Sequence, residues 1–215
     1  MQEWPGHIDQ RELARTLGEQ WGLAAGRLRH LPVGFGDHHW ELADAAGGRW
    51  FITVAELAGG WRGTSPAAGY ADLRASMETV IALRRAGLEF AIAPVPTAGG
   101  QALAPLGAGN AVTVFPYVDC APGDFGDGLP DWDTVGLALP ERDLWMVAGD
   151  DAGAAGRYTE LTGRPVSGAA MQMYKMRWSL DDIALAVRDF RAPHEQNEDS
   201  RLTWEALTEE IGEIA

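Results

Sequence analysis

Leu31-Pro-Val-Gly-Phe-Gly-Asp-His-His-Trp40 decides the reading of this chain. Two glycines one residue apart interrupt two runs with strand character, Arg27 to Gly34 and His38 to Ala43. Glycine takes up the backbone angles of a tight turn without a steric penalty, so the pair predicts a hairpin. A third strand, Arg49 to Leu57, follows the Ala-Gly-Gly turn at 46–48 and is rich in β-branched and aromatic residues. Outward from this core, Ile8 to Ala24 reads as a helix. Asp9 is its N-cap, Leu13, Leu17 and Trp21 recur at spacing four, and Gly26 serves as the stop. Tyr70 to Ala86 reads as a second helix, closed by Arg84, Arg85 and Gly87. Phe90 to Pro96, Gln101 to Leu106 and Ala111 to Val118 read as further strands.

From Cys120 to Pro130 the composition changes to Pro, Gly and Asp, which is that of a linker. Beyond Pro140 the pattern is helical, with helices expected over Glu141–Ala148, Asp151–Thr162, Gly168–Phe190 and Ser200–Ile214. Pro165 and Pro193 fall between them, where breaks belong. Met173, Met176, Leu180, Ile183, Leu185, Val187 and Phe190 mark an apolar face on the third of these helices.

The 215 residues are 46% hydrophobic and 22% charged, with a net charge of −14. A chain this acidic is a poor partner for nucleic acid or an anionic membrane, whose phosphates it cannot neutralise. It is compatible with a cationic small molecule, although acidity also serves solubility alone. Cys120 is the single cysteine, so neither an intrachain disulfide nor a cysteine-based metal site is expected. The start of the sequence carries no basic and apolar signal pattern, and the expected location is cytoplasmic.

Two blocks carry a resemblance. The first runs from Leu31–Trp40 through Ala111-Val-Thr-Val-Phe-Pro-Tyr-Val-Asp119. The second is Asp131-Trp-Asp-Thr-Val-Gly-Leu-Ala-Leu-Pro-Glu-Arg-Asp-Leu-Trp145. Together they resemble the aminoglycoside phosphotransferase family, a small-molecule branch of the kinase-like fold. The resemblance implies an α+β fold with a kinase-like N-lobe, a small antiparallel sheet plus helix, over residues 1–118. A hinge or linker over 119–130 and a truncated helical C-lobe over 131–215 would follow. It implies ATP or GTP with Mg²⁺ as cofactor. Gly34 and Gly36 would lie over the phosphates, and Phe115, Tyr117 and Val118 would form the hinge against the base. A plain hairpin turn and a plain strand end are the alternatives at these two places. Asp131 matches the family's metal-holding aspartate, and the later Asp143 its structural one. Yet Asp131 follows Asp-Gly-Leu-Pro rather than an apolar strand, so a solvated linker aspartate is the other reading.

What is missing matters as much. Only eleven residues, Cys120 to Pro130, separate the blocks, where the family holds its catalytic loop. That loop is His-Gly-Asp with an asparagine five residues on. Here no histidine lies between His39 and His194, and the asparagines are Asn110 and Asn197. No Gly-Asp pair has asparagine at the needed offset, so no catalytic residue is assigned. The third strand should carry a phosphate-binding lysine near Ala55, paired with a helix glutamate such as Glu78, but the only lysine is Lys175. Arg49 and Arg62 flank that strand. His38 and His39, adjacent on a strand, point to opposite faces and do not make a joint metal site.

The pattern implies an in-frame deletion within a phosphotransferase-like ancestor. The expected function is an aminoglycoside phosphotransferase-like protein, impaired in catalysis. The alternatives are a pseudokinase that binds nucleotide or a cationic sugar, and a non-functional remnant. Helices stripped of their packing partners would expose apolar faces, through which a homodimer is expected to form.

Overall fold

The computed structural model describes residues 4–23, 25–33, 36–44, 46–57, 65–89, 91–118, 138–148 and 152–214. Among these the chain divides into two compact units, one within 4–118 and one within 138–214.

The first unit contains α1 (Gln10–Trp21), β1 (Ala25–Leu31), β2 (His38–Asp44), β3 (Arg49–Glu56), α2 (Pro66–Arg85), β4 (Ala104–Leu106) and β5 (Asn110–Pro116). The strands form one antiparallel sheet in the order β1-β2-β3-β5-β4. This is the α+β class and the order of elements expected of a kinase-like N-lobe.

Strand side chains alternate between faces, and the register sorts them. His30, Trp40 and Ile52 share one row, and Leu28, Leu42 and Trp50 the next. This even-numbered face is the main core. Trp40, Leu42, Ile52, Val54, Val112 and Val114 pack there against Leu13 and Leu17 of α1, whose spacing of four puts both on one side of the helix. On the other face, Leu73 and Met77 of α2 cover Ala55, Leu57 and Ala111, together with Ala102 and Leu103.

Several boundaries differ from the sequence reading. The first helix ends at Gly22, four residues before the expected stop. Gly22 has φ 70°, and the backbone bonds Gly22 N to Gly18 O and Leu23 N to Leu17 O close the helix there. Gly26 instead lies in β1 at a register shift, where any Cβ would collide with the Ala43 carbonyl. The second helix starts at Pro66, because Ser65 caps it by accepting from Ala68 N at 3.3 Å and proline suits the first turn. The third difference is larger: 91–97 is not a strand. Pro94 and Pro96 have no N–H to donate, so the segment makes only an isolated bond to β5, Val95 N to Val114 O at 2.7 Å. It is tied instead to α1, through Trp21 Nε1 to Val95 O and Ala98 N to Gln20 O, both 2.7 Å. The expected strand over Gln101–Leu106 shrinks to its last three residues.

The second unit is helical: α3 (Glu141–Ala148), α4 (Ala152–Thr162), α5 (Gly168–Arg191) and α6 (Glu198–Ile214). Ser167 caps α5 by accepting from Ala170 N. Asn197 and Ser200 exchange bonds at the start of α6, Ser200 N to Asn197 Oδ1 at 3.0 Å and Asn197 N to Ser200 Oγ at 2.9 Å. The helix therefore begins two residues before the expected Ser200. Trp145 meets Trp178 edge-on between α3 and α5, and Phe190 meets Trp204 between α5 and α6. Buried apolar side chains in this unit are few: Ala186 and Leu207 among the described residues. Val147 is 71% exposed and Leu161 87%. Of the apolar face expected on α5, Met173, Met176, Leu180 and Val187 are all exposed. Among the described residues no helix is long and apolar enough to cross a membrane.

Candidate functional site

The described residues cover the odd-numbered face of the sheet only in part. Register places Leu31, His39, Thr53 and Thr113 in one row, Arg29, Glu41, Phe51 and Phe115 in the next, and Arg27, Ala43 and Arg49 in the last. Tyr117 extends that last row, its N–H donating to Arg49 O at 3.3 Å. The α2 cluster reaches Ala55 and Ala111 and stops beside Phe115. Glu41, Phe51 and Tyr117 remain only half-buried, and Arg27, Arg29 and Arg49 are exposed.

Charge and aromatic rings are organised across this open half. Glu41 Oε2 accepts from Arg29 Nε at 3.0 Å and also from Arg29 Nη2, while Glu41 Oε1 accepts from Arg49 Nε at 2.8 Å. The hydrogen bonds from Arg29 and then Arg49 hold the Glu41 carboxyl below its ordinary pKa. Arg49 Cζ lies 3.9 Å from the centroid of the Tyr117 ring, within the range of a cation–π contact. His39 stacks on Phe51 with centroids 4.9 Å apart, and its Nδ1 lies 3.2 Å from Thr53 Oγ1. Arg27, Arg29, Glu41 and Ala43 line a recess at this end of the face. Chemically, the surface offers flat apolar rings flanked by fixed guanidinium donors.

The site residues expected from the sequence fall as follows. Phe115 lies on β5 opposite Phe51, and Tyr117 lies against Arg49. Val118 is half exposed. These three are brought together at the end of β5. Gly36 has φ 88°, in the left-handed region that favours glycine, and follows β1 in the turn leading to β2. Gly34, Arg62 and Asp131 lie outside the described residues. Ala55, near which the resemblance would place a lysine, is 1% exposed beneath Leu73 and Met77, so this place is filled by apolar packing. Glu78 is exposed and pairs with Arg74 at 3.7 Å.

Arg49 is the first residue of β3, as the sequence reading has it, paired with Ala43, and its side chain lies on the open face. In the second unit Glu141 is a buried carboxylate. Glu141 is 6% exposed and its Oε1 accepts from Ser167 N at 2.8 Å, whereas Asp143 is exposed. The Glu141 carboxyl is held below its ordinary pKa first by that bond.

His38 and His39 do point to opposite faces. His38 is buried with His7, His30 and Trp40 on the even side, at ring separations of 5.5 to 6.3 Å. Among the described residues no group of three His, Cys, Asp or Glu side chains could hold a metal ion. The Arg29–Glu41–Arg49 cluster was missed by motif reading. Its only sequence signal was the alternation of charged residues at odd positions on three neighbouring strands, which becomes a cluster once the register is known.

No family model matches this sequence, and no curated protein matches it. Among solved structures, the chain is similar to a spectinomycin phosphotransferase in complex with ADP and spectinomycin. Identity is 14% over 91% of this chain and 50% of that one, with a TM-score of 0.43. It is also similar to an aminoglycoside phosphotransferase from Alicyclobacillus acidocaldarius, at 16% identity over 94% of this chain and 50% of that one, with a TM-score of 0.40. An amicoumacin kinase in complex with AMP-PNP and Ca²⁺ gives 13% identity over 52% and 31% of the two chains, with a TM-score of 0.40. The chain thus spans about half the length of the first two. These structures are named as two phosphotransferases and a kinase.

Proposed function

We propose that the first unit binds a nucleotide and that the protein, aminoglycoside phosphotransferase-like by ancestry, does not transfer phosphate. One observation carries this reading: among the described residues half of one sheet face is left uncovered, and it is floored by Phe51, Phe115 and Tyr117 beside Arg27, Arg29 and Arg49. A purine stacks on such rings, and guanidinium groups suit its phosphates. The loss of transfer rests on composition. The sequence has no His-Gly-Asp loop, and Ala55 stands packed at the lysine position. Mg²⁺ would come with the nucleotide, and Asp131 is the residue proposed to meet it.

A second reading assigns a cationic small molecule to the helical unit. Asp182 favours it. Partial burial first, then the nearby Glu210, raise its pKa, and a bound cation would relieve the crowding.

Thermal unfolding with Mg²⁺-ATP, Mg²⁺-GTP and an aminoglycoside panel tests both. A ligand bound only by the folded state adds about 2.7 kcal/mol at a hundredfold excess over Kd. The expected result is an upward shift with nucleotide and no phosphorylated product in a transfer assay. Product formation would overturn the loss of catalysis. The absence of any shift would leave a folded remnant.

A further inference from the structure

The helix α5 carries a repeat that its packing within the helical unit does not use. Met173, Met176, Leu180, Ile183, Val187 and Phe190 follow one another at alternating steps of three and four residues. This is a heptad pattern. Met173, Leu180 and Val187 hold its first position, and Met176, Ile183 and Phe190 its fourth. Steps averaging about 3.5 residues nearly match one helical turn, so the six side chains form a single stripe about 26 Å long. Met173, Met176, Leu180 and Val187 are between 38% and 63% exposed. Ile183 and Phe190 are half-buried, Phe190 against Trp204 of α6. The contact with α3 comes from off the stripe, where Trp178 meets Trp145.

The period selects the kind of partner. Only another helix, crossing at about 20°, stays in register with such a repeat over several turns. Charge selects which helix. The chain has a net charge of −14, so two copies repel one another in general. Yet neither the stripe nor the positions that flank it in a helix pair hold an aspartate or glutamate. Those flanks are Gln172, Ser179 and Ala186 on one side and Arg177, Ala184 and Arg191 on the other. The carboxylates of this stretch, Asp181, Asp182 and Asp189, fall at the remaining positions. Arg177 pairs with Asp181 of its own helix at 3.4 Å. Two copies of α5 can therefore close along the stripe without setting carboxylate against carboxylate.

We infer that the protein self-associates through α5, two copies pairing along Met173–Phe190 as a short two-helix coiled coil. The seam is shorter than three heptads, so the pair is reversible and forms in the micromolar range. Methionine at two of the six positions gives a seam that adapts to the facing copy. This inference concerns the helical unit alone and stands apart from the nucleotide reading.

The test is sedimentation equilibrium of the full chain across a concentration series, compared with Leu180→Glu, Ala184→Glu and Leu161→Glu. Leu180 lies in the seam, Ala184 on its flank, and Leu161 on α4 is 87% exposed. All three positions are exposed, so the variants should fold, and far-UV circular dichroism checks this. The expected result is a monomer–dimer equilibrium in the full chain. Leu180→Glu should weaken it about tenfold or more, because the seam would bury unpaired carboxylates. Ala184→Glu should weaken it less, and Leu161→Glu by less than about twofold. Raised salt should strengthen the dimer, because screening relieves the repulsion between the acidic chains. Hydrogen exchange of α5 should slow as concentration rises in the full chain and not in Leu180→Glu. A full chain that stays monomeric up to its solubility limit would overturn the inference. So would a dimer that Leu180→Glu leaves intact, which would place the contact on another surface.

Discussion

The two units share one chain but not one way of holding together. In the sheet unit, α1 and α2 press on opposite faces and bury Trp40, Leu13, Leu17, Leu42 and Ile52 to 1% exposure or less. In the helical unit the aromatic contacts Trp145–Trp178 and Phe190–Trp204 join neighbouring helices, while Leu161, Met176 and Val147 stay exposed. Apolar burial contributes roughly 25 cal/mol per Å². A sheet sandwiched by helices collects that term on both faces, and helices packed along single seams collect little of it. Secondary structure can therefore be equally regular in two regions whose stabilities differ greatly.

The sharpest way to break this contrast is to shave one leucine from each unit. Leu17→Ala, at a fully buried site, is expected to cost about 2–5 kcal/mol, from lost transfer energy and the cavity left behind. Leu161→Ala is expected to change stability by no more than about 0.5 kcal/mol. Urea unfolding followed by tryptophan fluorescence measures both. Hydrogen exchange should agree, with amides of β2, β3 and β5 exchanging far more slowly than those of α5. Similar protection in the two units would remove the contrast and imply that a second copy or another partner covers the helices.

A smaller effect is expected inside the helical unit. Glu141→Ala removes the acceptor that ties Ser167 N to α3 and should speed exchange at the start of α5. Asp143→Ala, two residues further on and on an exposed surface, should leave exchange there as it was. Equal effects would mean that the buried bond contributes nothing to the unit.

The smallest effect is in the response to acid, and it has opposite signs in the two units. Arg29 and Arg49 hold the folded-state pKa of Glu41 below its unfolded value, so its contribution is present above the ordinary carboxylate range. That contribution is lost as pH falls through the lowered pKa. Asp182 is the reverse: burial, then Glu210, raise its folded-state pKa, so protonation favours the folded form and stability rises as pH falls through that pKa. Melting curves from about pH 7 to about pH 3 should show Glu41→Gln flattening the acid loss of the sheet unit. Asp182→Asn should abolish the acid gain of the helical one. Shifts of the same sign in both variants would refute the assignment.

Much of this architecture was legible before any coordinates. The extents of α1, α3, α4 and α5 were visible because their signals are local: Asp9 before a spacing of four, and Pro165 and Pro193 at the breaks between helices. Ser65-Pro66 was an equally local start signal for α2 and was overlooked in favour of the apolar spacing further on. The segment 91–97 misled because its alternation suits a strand, whereas Pro94 and Pro96 remove the donors a ladder needs. Of the candidate site, Phe115 and Tyr117 were named from the motif, and the arginine cluster was not. Arg29, Glu41 and Arg49 are separated by 12 and 8 residues, and only the pairing of β1 with β2 and β2 with β3 sets them side by side.

The sequence by itself determined the antiparallel sheet, the helices that follow it, the absence of the His-Gly-Asp loop and the lack of a lysine before Lys175. These depend on residue identity and short-range pattern, which no fold is needed to read. Tertiary structure alone decided which half of the sheet face α2 covers, that Ala55 is sealed beneath Leu73 and Met77, and that Arg29 and Arg49 meet on Glu41 beside Tyr117. Those properties arise from strand register and helix docking, where residues far apart in sequence become neighbours and a shift of one position would turn each side chain to the opposite face.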